Sequence, residues 1–185
     1  MQEVQTFNTY DTVTRWLHWG SAVLLVILFV LGLGIDWVPR GEPKIMVRSV
    51  HIALGTLLTL ALVYRVVWRR LFGQKLDSAY EGLQAHAIQF FHGLLYLLML
   101  AMVTSGIVAV WFRGVNMFDL FTIEPFDASN KPMRRLLVNI HEIIAYALMA
   151  LASVHAMVAL WHHYRLKDRV MQRMWPTLSQ RNPLS

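Results

Sequence analysis

The 185-residue chain contains no cysteine. That excludes disulfides, iron–sulfur clusters, thiolate metal sites and the Cys-x-x-Cys-His motif of covalent cofactor attachment. Charge is scarce too: acidic and basic residues make up 15% of the chain, whereas 56% is hydrophobic. The apolar residues fall into four blocks, about 16–35, 47–68, 88–112 and 136–164, and the stretch 22–33 carries no charge at all. A soluble four-helix bundle needs polar outer faces, and 22–33 and 94–103 have none. Low-complexity tracts, an internal repeat and a separate soluble domain are also lacking. Residues 1–14 are polar and mixed in charge, and the first apolar block is too long for a signal-peptide core, so it is expected to be retained. The excess of Lys and Arg, 17 against 11 acidic residues, gives a pI near 10. It lies in the flanks of the apolar blocks, with no basic helix or nucleic-acid motif, so no nucleic-acid partner is expected.

Each block can cross a hydrocarbon layer of about 30 Å, which takes about 20 helical residues. A chain in lipid must satisfy its backbone within the segment, which selects helices. The expected fold is all-α, an integral membrane four-transmembrane-helix bundle forming a single domain over 1–185, with helices at about 15–35, 47–70, 86–112 and 135–164. Pro39, Gly41 and Pro43, then Gly73, then Pro125 and Pro132 mark the connections. Lys and Arg placement sets the orientation. With the N-terminus inside, Arg15, Arg65, Arg69, Arg70, Lys75, Arg165, Lys167, Arg169, Arg173 and Arg181 are inner, and Arg40, Lys44, Arg48, Arg113, Lys131, Arg134 and Arg135 are outer. Ten against seven favours both termini in the cytoplasm.

Histidines stand out in this setting. An isolated histidine on an apolar face is ordinarily a hydrogen-bonded core residue. Ionisable groups inside membrane spans are costly, however, and mark function. His141 and His155 lie fourteen residues apart in the last block, on nearly one helical face and about 21 Å apart along the axis. His18 and His51 sit near the ends of two other blocks. Four such rings make two bis-imidazole sites, the ligand set of a di-haem electron carrier. Without cysteine, such haems are non-covalent b-type groups. Depth pairs His51 with His141 on the outer side, and leaves His155 to pair with His18 or with His92.

Small residues near these rings (Ala145, Ala152 and Ala159 on the last helix, Gly55 beyond His51, Ser105 and Gly106 in the third) leave room for a flat macrocycle, although membrane helices also pack on small residues. His162 extends the His155 face about 10 Å towards the inner surface. There it can hydrogen-bond a quinone carbonyl and pass protons; His163 is the lesser candidate, since a His-His-Tyr helix end also serves as an interfacial anchor. His86 is expected to be solvated. The ten methionines read as gap-fillers.

Arg15-Trp16-Leu17-His18-Trp19, His51 with Gly55, His92 with Tyr96, His141-Glu142, His155 and His162-His163-Tyr164, followed by Lys167-Asp168 and Arg173-Met174-Trp175-Pro176, resemble the prokaryotic cytochrome b561 family over nearly the whole chain, and within it the superoxide oxidase type. Gln89 departs from the pattern, standing one turn before His92 where some relatives carry histidine. The resemblance implies two haem b, with His18 and His155 ligating the inner iron and His51 and His141 the outer one. It leaves His92 either as a neighbour supporting the ligands or as a quinone-site residue, alongside the His162 and His163 already considered for that site. It also implies superoxide oxidation coupled to ubiquinone reduction in the bacterial inner membrane. Arg40, Lys44, Arg48, Lys131, Arg134 and Arg135 would then draw in the anion, or else serve as propionate partners and headgroup anchors. A relay subunit, taking electrons from a membrane or periplasmic donor protein, shares the haem chemistry. A transition-metal transporter is disfavoured, because the spans lack the required Asp, Cys or Met clusters.

Overall fold

The computed structural model describes residues 9–74, 76, 81–167 and 171–175. Lys75, Asp168, Arg169, Pro176 and Arg181, used above for orientation or resemblance, lie outside the described residues.

Four helices, α1 (Thr12–Gly34), α2 (Glu42–Leu71), α3 (Gly82–Arg113) and α4 (Lys131–Trp161), are each long and apolar enough to cross a membrane. All four begin a few residues earlier than expected, and two of them share a visible reason. Pro43 and Pro132 sit in the first turns of α2 and α4, where a missing N–H costs nothing and the fixed φ suits the helix. They start helices here rather than interrupting them. The far end of α4 differs as well: regular α-helix stops at Trp161, and His162–Leu166 form one π-helical turn.

The helices pack as two pairs, α1 on α2 and α3 on α4, with thinner direct contact across the pairs. Leu28, Leu58 and Leu62 form the buried apolar cluster, joined by Leu24, Leu54, Met99 and Val103. Most outward-facing apolar side chains, such as Val30, Leu60, Leu100 and Met157, are exposed, which suits surfaces that meet lipid.

The ends are called outer and inner after the expected orientation. The outer end carries a feature that the apolar blocks do not announce, a hairpin of β1 (Val115–Met117) and β2 (Phe121–Ile123). Phe118 and Asp119 both have positive φ, the backbone of a type I′ turn, closed by Leu120 N–H donating to the Met117 carbonyl at 2.9 Å. Ser49, completely buried on α2, pins this turn. Its hydroxyl donates to the Asn116 carbonyl at 3.2 Å and accepts from the Phe118 N–H at 2.9 Å.

Asp11 does the corresponding work at the inner end. It caps α1 by accepting from the Thr14 N–H at 2.9 Å and the Thr14 hydroxyl at 2.7 Å. It also accepts from Trp68 Nε1–H of α2 at 2.9 Å. Partial burial works to raise this carboxyl, but the donors from Thr14, Trp68 and the Gln74 backbone outweigh it and hold the group at about 2. Residues 171–175 return here: Trp19 Nε1–H donates to the Met174 carbonyl, and Arg15 to that of Trp175.

Candidate functional site: two histidine levels

Each helix carries two positions fourteen residues apart that bear on the site: His18 and Gly32 on α1, His51 and Arg65 on α2, His92 and Gly106 on α3, His141 and His155 on α4. His92 is exposed, and the others are half-buried or buried. The eight positions fall into two levels. The outer level holds His51, His141, Gly32 and Gly106; the inner level holds His18, His155, His92 and Arg65.

At the outer level the His51 and His141 ring centroids are 6.4 Å apart, with planes at 78°. The two glycines let the rings lie close to neighbouring backbones. A Cβ on Gly106 would stand 3.0 Å from His141 Cε1, and one on Gly32 would stand 3.3 Å from His51 Cε1. Gly55 meets nothing within 4 Å, so the glycine that matters to His51 comes from α1 and not from its own helix. The Ser105 hydroxyl donates to the Met102 carbonyl and lies 3.0 Å from His141 Nδ1. With its proton committed to that carbonyl, Ser105 accepts from Nδ1–H, leaving Nε2 as the nitrogen with a free lone pair.

At the inner level His18 and His155 are also 6.4 Å apart, with planes at 80°. His92 stands nearer, 5.2 Å from His155, with its Nδ1–H donating to the Ile88 carbonyl at 2.7 Å. Phe91 stacks on His155 at 6.3 Å. Arg65, counted above among the inner flanking charges, is instead buried, at 9% exposure. Its Nη2 lies 3.2 Å from His18 Nδ1, and the guanidinium sits over the Tyr96 ring at 5.5 Å. A guanidinium only donates, so His18 accepts at Nδ1.

These spacings allow a test of what the rings can hold. Two metal–nitrogen bonds of about 2.0 Å and two imidazole radii span about 6.3 Å from centroid to centroid. His51/His141 and His18/His155 meet that requirement; His92/His155 is too short. Among the described residues no group of three or more histidine or carboxylate ligands exists. Paired axial imidazoles therefore suit a metal whose remaining ligands come with it, as in haem. The outer pair fits in spacing and tautomer. The inner pair fits in spacing, and iron at His18 Nε2 requires the proton now implied there to leave that nitrogen.

The remaining candidates sort by place. His162 and His163 are half-buried in the π turn. His86 lies in α3, exposed and bonded to the Gly82 carbonyl, and Glu142 is exposed. Arg40, Lys44 and Arg48 converge with Arg113 around a cavity of about 380 Å³. Lys131, Arg134 and Arg135 belong to the start of α4 and do not line it.

Four apolar helices bridged by paired histidines define a multi-pass membrane protein of the electron-transferring haem class. Residues 9–177 match the model of the prokaryotic cytochrome b561 family, and the chain belongs to that family. It is thus a membrane electron-transfer cytochrome that binds b-type haem. It is 27% identical over 172 residues to "Cytochrome b561 homolog 1" of Escherichia coli (strain K12), covering 91% of this chain and 98% of that protein. Identity to "Cytochrome b562" of Cereibacter sphaeroides is 29% over 170 residues, 89% of this chain and 94% of the other. Identity to "Probable superoxide oxidase CybB" of Yersinia pestis is 26% over 173 residues, 90% and 96% of the two chains.

Proposed function

We propose that the protein is a di-haem superoxide:ubiquinone oxidoreductase of the bacterial inner membrane, with both termini in the cytoplasm. The observation that carries the di-haem reading is the equal 6.4 Å spacing of two histidine pairs, one above the other. His51 and His141 hold the outer haem b, His18 and His155 the inner one. Bound haem iron supplies one-electron storage at each level. The net reaction takes two superoxide ions, one ubiquinone and two protons to two oxygen molecules and one ubiquinol.

The chain's own residues perform the binding and proton handling. Arg40, Lys44, Arg48 and Arg113 converge at the outer end and raise the local concentration of an anionic donor. The name of the Yersinia relative supports superoxide as that anion. At the inner end His162 hydrogen-bonds the quinone and delivers protons, with His163 and His92 alongside.

The test uses purified holoprotein in vesicles containing ubiquinone. A pulse of superoxide should reduce the haem bands, followed by reoxidation and quinol formation. A pyridine-haemochrome assay should give two haems per chain, and His162→Ala should slow quinol formation while keeping both. Haem reduction that needs an added dehydrogenase would replace this reading with that of a relay subunit. A chain without haem bands would revive a transporter.

A further inference from the structure

Arg65 is the inner level's departure from symmetry. The position fourteen residues before it on α2 is His51, and the corresponding pair on α4 is His141 and His155. Where α4 carries a second ring, α2 carries a cation. Arg65 is 9% exposed, and its Nε is buried without a hydrogen-bond partner. Its contacts are the acceptor nitrogen of His18 and the face of Tyr96, both neutral groups, and the Tyr96 hydroxyl beside it also lacks a partner. Among the described residues the ion pair present is Lys44 with Asp36, at the other end of the molecule. The Arg65 charge is therefore fixed and uncompensated by any described carboxylate.

Such a charge acts strongly on what lies beside it. Arg65 itself is buried, where water screens a charge less, and the guanidinium is one hydrogen bond from a ring of the inner pair. The equivalent outer neighbours are Gly32 and Gly106, which carry no charge. The cations Arg40, Lys44, Arg48 and Arg113 line a cavity at the solvent-facing end, where ions and water screen them, and Lys44 is already paired. An added electron is a negative charge, so the protein stabilises it more at the inner level. Haem potentials respond to the charge and hydrogen bonding around the axial ligands.

We propose that Arg65 is a positioning charge that raises the reduction potential of the inner haem above that of the outer one, giving the bundle an inward direction. This inference rests on the di-haem reading. Arg65 acts on the iron through space, from beside the His18 ring, without touching the reacting substrate.

Spectroelectrochemical titration of the holoprotein tests it. Wild type should titrate in two one-electron steps. In His141→Ala, which keeps only the inner haem, the surviving step should be the higher one. Arg65→Gln should lower that step and move the partition of an electron between the levels at least tenfold towards the outer one, or about 59 mV for a one-electron couple. Arg65→Lys, which keeps a cation, should retain most of the split. A merely structural role for Arg65 would change haem content but not this potential. A wild-type inner haem titrating at or below the outer one overturns the proposal whatever the variants do. So does an Arg65→Gln protein with both haems and an unmoved inner step. Fewer than two haems per wild-type chain would count against the di-haem reading itself, which separates the two failures.

Discussion

The two levels of the bundle share a spacing and differ in almost everything around it. Both hold two rings 6.4 Å apart. At the outer level the other two helices contribute glycine, and Ser105 gives His141 a defined tautomer. At the inner level they contribute a third ring and a buried guanidinium. The same ring spacing is thus set once beside two glycines and once beside a third ring and a buried cation. Ring spacing is what the levels share; the neighbours make them unequal, and the proposed inward direction rests on that inequality.

The largest effect should come from removing one ring at one level. His141→Ala or His51→Ala should halve the haem per protein and leave the inner haem in place, read by pyridine haemochrome. His155→Ala should halve it from the other side. Loss of both haems, or of neither, from any of these variants would break the separation of the levels. A smaller effect should follow from filling the glycine positions. Gly106→Ala puts a methyl 3.0 Å from the His141 ring, and Gly32→Ala puts one 3.3 Å from His51. Both should loosen the outer haem, Gly106→Ala more, while haem retention at the inner level stays at the wild-type value. Equal losses at both levels would show that the glycines serve helix packing in general.

The smallest effect concerns the ties at the two ends. Ser49 holds the outer hairpin with a neutral hydroxyl, whereas Asp11 holds the inner end with a carboxylate at about 2. Because the folded value lies below the ordinary 3.8, this contribution is fully present above about pH 4 and is lost as pH falls towards 2. Acid should therefore loosen the inner end first. Asp11→Ala should remove that part of the pH dependence and cost about 1 kcal/mol as a lost helix cap, measured by thermal unfolding in detergent between about pH 5 and pH 2.

Much of the bundle is legible in the amino-acid sequence. Uncharged runs such as 22–33 leave helix as the only outcome in lipid, and depth alone sets His51 opposite His141. Other features stay hidden because spacing along the chain is blind to neighbours on other helices. Gly55 has the spacing of a partner for His51, but contact between helices gives that role to Gly32. Choosing between His18 and His92 requires a distance. Pro43 and Pro132 read as breaks because a proline marks both a loop and the first turn of a helix. The hairpin is too short to register, and its turn uses Phe118 and Asp119 in place of the usual glycine. Arg65 is the instructive case. Its place beside Arg69 and Arg70 makes it look like an end-of-helix cation. Yet it lies fourteen residues from His51, the same spacing that singles out His141 and His155.

That arginine also bears on how the protein is made. An arginine at the centre of a membrane helix costs about 2.5–3.5 kcal/mol to insert, less towards the ends. The groups that receive Arg65 belong to other helices, His18 to α1 and Tyr96 to α3. In a chain made from its N-terminus, α1 with His18 precedes α2 and α3 with Tyr96 follows it. Full settling of the second span is expected to need both its neighbours, so the inner ends of α1, α2 and α3 are expected to assemble together.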